Sequence, residues 1–173
     1  MEKNIEKMLI KENHLFNSEE CKTILSHINS NIKYWNLKDR QYNSQAINYS
    51  LETHWLFDKL KTFFEIETGI KIIKIKEQIH FHTFKNGDWF GKHNDTRDNR
   101  LFAVGVLLND NFEGGDFKLY NPNEIILNKQ IGNTYIFDVT IMHEITPILE
   151  GERYSLLWFL HQNNIKMNIN KLI

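Results

Sequence analysis

Cysteine is almost missing from this chain. Cys21 is the one copy in 173 residues, so no intrachain disulfide can form, and a reducing, cytoplasmic setting is the expectation. Proline occurs twice, and most of the eight glycines fall between Gly87 and Gly151, so no Pro/Gly-rich linker divides the chain. No apolar run approaches the roughly 20 residues that a membrane span needs. The opening MEKNIEKMLIKEN lacks the apolar centre of a signal peptide. Neither sign of charge dominates: 21 Lys and Arg stand against 22 Asp and Glu, for a net charge of −1. No overall field draws nucleic acid or an anionic membrane, and neither is expected as a partner.

What is present suits one compact domain over residues 1–173. Hydrophobic residues make up 41% and aromatics 13%, enough for a core. Asn17 or Ser18 can cap a helix whose stripe is Cys21, Ile24, Leu25 and Ile28, with Glu19 and Glu20 in its first turn. A second helix is predicted from Ser50 through Trp55, Leu56, Leu60, Phe63 and Phe64, ended by Gly69. Beyond Gly69 the period becomes two. Ile73, Ile75, Glu77 and Ile79 alternate with His80, His82 and Phe84 on the opposite face. Further strands are predicted over 100–108, 116–120, 133–139 and 153–160, separated by turn signals such as Asn86-Gly87, Gly114-Gly115 and Glu150-Gly151. The reading is a helical support region (1–70), a β-rich core (71–162) and a tail (163–173). Residues 35–50 show no clear period and are read as an irregular segment over the site, a lid.

The chemistry starts at His93-Asn94-Asp95. Positions i and i+2 of an extended segment share a side, so an imidazole and a carboxylate can meet one ion there. Alone, this pattern is common in solvated turns. The stretch from His143 to Tyr154 adds a second histidine, then Pro147, Gly151 and Arg153. Two histidines and one carboxylate suit the facial site of a non-haem Fe(II) oxygenase, which leaves metal positions open for a chelating co-substrate. An arginine nearby suits the far carboxylate of a dicarboxylate.

In this order the motifs resemble the prolyl 4-hydroxylase-like branch of the Fe(II)/2-oxoglutarate dioxygenases. Leu9-Ile10 through Phe16 to Cys21 is similar to the branch's first strand and helix. The run Phe84 to Asp95, the strand Arg100 to Asn109, the Gly114-Gly115 turn and Gly132 to Phe137 follow in order. His143, Pro147, Gly151, Arg153, Tyr154 and Trp158 keep the branch's spacing. The resemblance implies a mainly β fold, a double-stranded β-helix or jelly roll, packed against N-terminal helices. It implies His93, Asp95 and His143 as Fe(II) ligands and Arg153 as the anchor of 2-oxoglutarate. Dioxygen is the implied oxidant and ascorbate an accessory reductant.

The same resemblance places Tyr135, Phe84, Leu107, Ile145 and Trp158 around the co-substrate. Phe84 and Leu107 stand where many branch members have tyrosine, so Tyr135 is the candidate hydroxyl beside Arg153. Arg100, His82 and Trp89 are substrate candidates. His80 reads as structural and Arg97 as a solvated loop charge. Asp95 favours hydroxylation over halogenation, since halogenases of this fold lack that carboxylate. The implied activity is hydroxylation of an unactivated C–H, with release of succinate and CO2, on a prolyl or other residue of a peptide or protein. The alternatives are a hydroxylase of a free amino acid or small metabolite, and a non-catalytic jelly-roll module binding metal or ligand.

Overall fold

The computed structural model describes residues 10–27, 33–75 and 78–166. Leu9, Ile28, Glu77 and the tail beyond Lys166, all part of the sequence reading, lie outside them.

The chain begins with β1 (Ile10–His14), α1 (Ser18–Ser26), β2 (Lys33–Leu37), β3 (Arg40–Asn48) and α2 (His54–Thr68). It continues through β4 (Lys71–Ile72), β5 (Gln78–Phe84), β6 (Trp89–His93), β7 (Arg100–Leu107), β8 (Glu113–Gly114), β9 (Phe117–Tyr120) and β10 (Glu124–Ile126). The last strands are β11 (Asn133–Asp138), β12 (Met142–Ile145), β13 (Ile148–Glu150), β14 (Arg153–His161) and β15 (Ile165–Lys166).

Asn17 caps α1 through a reciprocal box. Its side chain accepts from the Glu20 amide at 2.9 Å, and the Glu20 carboxylate accepts from the Asn17 amide at 3.0 Å. In α2 the first i−4 bond joins the His54 amide to the Ser50 carbonyl, though regular turns begin only at His54. Gly69 ends the helix at φ 71°, a left-handed position that suits glycine. Glu20 pairs with Lys59 at 2.5 Å, tying α1 to α2.

One antiparallel ladder runs β1, β11, β7, β14, β5, β3, β6, β12, β9, β10, with β2 on the free side of β3. Strand β3 is the fold line. Its residues 43–48 pair with β5, while Arg40 and Gln41 pair with β6. The sheet therefore curls into two facing walls, a jelly roll. Alternation sorts the side chains of the larger wall. Ile79, Phe81, Val104, Val106, Ile136, Leu156, Trp158 and Leu160 join a core with α1 and α2. Phe84, Ala103, Leu107, Tyr135 and Phe137 point the other way, toward Phe117, Leu119 and Ile145 of the second wall. Apolar burial on both faces of one wall explains its dense hydrophobic strands.

Three expectations need correction. The segment 35–50 is the β2–β3 hairpin plus a short turn, not an irregular lid, and with β1 it makes 1–70 a mixed region instead of a helical one. Its period was hidden because its cavity-facing residues, Arg40, Tyr42 and Ser44, are themselves polar or amphipathic. Ile73 and Ile75 do not extend the strand of Ile79. Strand β4 ends at Ile72 and pairs with β15, inside the presumed tail, in a separate two-stranded sheet. Among the described residues no helix is long and apolar enough to cross a membrane.

Candidate active site

Strand pairing brings the two histidines together. His93 at the end of β6 lies directly across from His143 on β12, with ring centroids 4.2 Å apart. Asp95 follows in the loop after β6, where its amide donates to the Val139 carbonyl at 3.0 Å. Its carboxylate oxygens lie 3.7 Å from His93 Nε2 and 3.3 Å from His143 Nε2. One ligand atom from each residue falls within 4.8 Å of the others.

The protons are arranged for a cation. His93 Nδ1 donates to the Gly91 carbonyl at 2.6 Å and His143 Nδ1 to the Ile141 carbonyl at 3.0 Å. Each Nε2 lone pair is thereby directed at the Asp95 carboxylate. Buried Asp95 Oδ2 has no hydrogen-bond partner among the described residues. Lone pairs facing a bare carboxylate oxygen repel, and a divalent ion at their centre removes the conflict. Burial, and next the neighbouring His143, push the His93 imidazole down to about 4, so it is neutral as a ligand must be.

A fixed cation sits behind this cluster. Arg153 is only 2% exposed, and its Nη1 donates to Ser155 Oγ at 2.7 Å. Burial pulls its guanidinium below the ordinary value, and the adjacent Tyr135 hydroxyl opposes this as charge partner and acceptor. The Tyr135 ring fills the space over Gly105, where a Cβ would lie 2.1 Å from Tyr135 Cζ. Tyr135 and Phe117 border both the triad's cavity, about 170 Å³, and the recess that holds Arg153, Leu107 and Asp116.

Residues 79–161, the span that carries all four of these groups, match the 2OG-Fe(II) oxygenase superfamily. That match and the shared fold support this superfamily for the chain. It is an enzyme family that uses Fe(II) and 2-oxoglutarate, and the His–Asp–His cluster fits such an ion. The fold is shared with solved prolyl hydroxylases. The Pseudomonas putida prolyl-4-hydroxylase is 16% identical over 88% of this chain and 92% of its own, with a TM-score of 0.71. A Burkholderia pseudomallei oxidoreductase of the 2OG-Fe(II) oxygenase family is 14% identical over 91% and 86%, with a TM-score of 0.73. The Trichoplax adhaerens prolyl hydroxylase, solved with a hypoxia inducible factor oxygen degradation domain peptide fragment, is 18% identical over 93% and 86%, also at 0.73. No protein of curated function matches the sequence.

The oxygenase's cavity collects some predicted residues and not others. His82, Arg100, Tyr135 and Ile145 line it, as do His80 and Arg97, the latter exposed at the rim. Trp158 does not. Counting from Arg153, it is on the opposite face of β14, packed edge-on against Phe57 of α2 at 5.8 Å. Trp89 is also outside the cavity, its ring lying where a Cβ on Gly91 would be. Phe84 is fully buried beneath Arg153, 5.7 Å from its guanidinium, and stacks on Tyr42.

Ser155, Phe90, Arg40 and Tyr42 are among the lining residues that escaped the sequence reading. Ser155 was findable, being two positions from Arg153 on one strand and hence on the same face. Phe90 was not. It and His93 are three apart, and only an irregular register between β6 and β12 turns both inward, where their rings stack at 3.7 Å. Arg40 and Tyr42 depend on the β2–β3 hairpin, whose pairing no local pattern announced.

Proposed function

We propose that the protein is an Fe(II)- and 2-oxoglutarate-dependent hydroxylase, with the metal on His93, Asp95 and His143. Arg153 takes the distal carboxylate of 2-oxoglutarate, assisted by the hydroxyls of Tyr135 and Ser155. The observation that carries this reading is the buried Arg153 guanidinium in a recess that shares Tyr135 and Phe117 as walls with the triad's cavity. A buried cation calls for an anion, and the distal carboxylate of a dicarboxylate that chelates the metal would supply one. Bound iron would supply activation of dioxygen. The chain keeps the His93 imidazole neutral, aims both Nε2 atoms, and holds the co-substrate against an aromatic wall. Overall, substrate C–H, 2-oxoglutarate and dioxygen give the alcohol, succinate and CO2, with ascorbate as accessory reductant.

The substrate proposed is a prolyl or other residue of a peptide or protein. The support is the shared fold with prolyl hydroxylases and an open cavity beside the triad. A free amino acid or small metabolite is the second reading, favoured by the arginines at the cavity rim. A cytoplasmic location accompanies the proposal, supported by the single, buried and free thiol of Cys21.

Anaerobic titration of metal-free protein with Fe(II) and 2-oxoglutarate tests the class. A weak visible charge-transfer band is expected in the wild type and not in His143→Ala. Absence of the band in folded wild-type protein would leave the non-catalytic binding module as the better reading.

A further inference from the structure

Arg100 opens β7 on the wall of the cavity, half-buried, its guanidinium carbon 3.7 Å over the Phe159 ring. Its Nε is buried and has no hydrogen-bond partner among the described residues. The backbone beneath it is fixed. Asp98 and Asn99 take left-handed φ values of 55° and 56°. Their carbonyls accept from His161 Nδ1 at 2.7 Å and the Gln162 amide at 2.9 Å. Strain of this kind at non-glycine residues persists where the surroundings hold it, and here it holds the base of Arg100 in place.

The charges around the cavity are unbalanced. Arg40, Arg97 and Arg100 line it, and Asp95 is the one acid among the lining residues. Asp39 already pairs with Arg40 at 2.8 Å. A divalent metal, Asp95, dianionic 2-oxoglutarate and Arg153 together sum to neutrality. Arg97 and Arg100 are then left over beside the exposed Asp98, a net excess of one positive charge, and of the two arginines Arg100 is the half-buried one with an unsatisfied donor. The Nε/Nη edge of a guanidinium matches the two oxygens of a carboxylate, and the apolar Phe159 face strengthens such a pair by excluding water.

We infer that Arg100 anchors a carboxylate of the substrate through its Nε/Nη edge, making the substrate an anion whose charged group enters the same cavity as the oxidised carbon. This rests on the hydroxylase reading above. The carboxylate is either the α-carboxylate of a free amino acid or an acidic side chain of a peptide.

The test uses full-length ¹⁵N-labelled protein loaded with Zn(II), a redox-silent stand-in for Fe(II), and 2-oxoglutarate. The Arg100 Nε–H signal is assigned by its loss in Arg100→Gln. A response of the Arg153 Nε–H signal to 2-oxoglutarate checks the underlying reading separately. Acetate is then titrated at constant ionic strength, with acetamide as the neutral control. A saturable shift of the Arg100 signal with acetate alone is expected, together with a shift of the Trp35 indole N–H in the same cavity that vanishes in Arg100→Gln. If acetate moves Arg100 no more than acetamide while Arg153 answers 2-oxoglutarate, the carboxylate anchor is wrong and the hydroxylase reading stands. If Arg153 fails to respond, the hydroxylase reading itself falls. Displacement of acetate by uncapped amino acids alone assigns the carboxylate to a small molecule. Displacement by N-acetylated, C-amidated aspartyl dipeptides assigns it to a side chain.

Discussion

His93 and His143 lie opposite one another across β6 and β12, and each donates its Nδ1–H to the carbonyl two residues earlier in its own strand, Gly91 and Ile141. The two imidazoles are thus oriented by backbone before any ligand arrives, with Asp95 closing the third corner. Preorganisation of this kind separates folding from metal binding.

The first prediction follows. Because the ion binds the folded state, a redox-silent divalent metal at 100 times its Kd should stabilise the protein by about 2.7 kcal/mol. His143→Ala and Asp95→Ala should keep the far-ultraviolet circular dichroism of the wild type but show no metal-dependent rise in Tm and no succinate formation. Retained activity in both variants would remove the ligand assignment.

In the recess behind Tyr135, Arg153→Ala should raise the 2-oxoglutarate KM by roughly 100-fold or more. Breaking a buried ionic pair costs about 3–5 kcal/mol. Tyr135→Phe and Ser155→Ala each remove one hydroxyl, worth about 1 kcal/mol, and should raise it about fivefold. Initial rates across a 2-oxoglutarate series decide this. An unchanged KM in Arg153→Ala would mean that another group holds the distal carboxylate.

Gly105 and Tyr135 form a coupled pair, since a Cβ on Gly105 would overlap the tyrosine ring. Gly105→Ala should lower stability by about 1–3 kcal/mol through overpacking. Adding Tyr135→Ala should return part of that loss, because the ring that collides is gone. Denaturant titration of both single variants and the double measures the coupling. Strict additivity would show that the ring is free to move aside.

The junction between α1 and α2 gives a pH dependence. Burial acts to raise the Glu20 carboxyl, but Lys59 and the Asn17 amide outweigh it, and the group lies below its ordinary 4.5. A depressed folded value means that its contribution is present above the unfolded value and is lost as pH falls through the folded one. The Tm difference between wild type and Glu20→Gln, on the order of 1 kcal/mol in stability near neutrality, should therefore shrink below pH ~4.5. A difference constant down to pH ~3 would show that the pair contributes nothing by charge.

How far the sequence reached depended on the distance over which each feature is decided. The cap at Asn17, the stop at Gly69 and the alternation of His80, His82 and Phe84 are local, and the structure keeps them. Strands β7, β11 and β14 were legible because one wall is buried on both faces and its residues are correspondingly apolar, and β9 because Phe117 and Leu119 alternate with half-buried Lys118 and Tyr120. Strand β3 was not legible. Its cavity face carries Arg40, Tyr42 and Ser44, whose polarity serves the site and erases the hydrophobic period. Trp158 shows a different failure: a motif position was carried over without counting its parity from Arg153.

By itself the sequence determined the donor set, His93, Asp95, His143 and Arg153, because residue type and near-neighbour spacing are written locally. It also determined which residues of each strand share a face, since that alternation is a property of the extended backbone. Only the tertiary structure decided that His93 meets His143, through the β6–β12 pairing. It decided too that an irregular register turns Phe90 inward and that a hairpin brings Arg40 and Tyr42 to the cavity. The physical reason is that strand partners and register are chosen by the burial of whole faces and by hydrogen bonds between distant segments, and no window of the chain contains both sides of that choice.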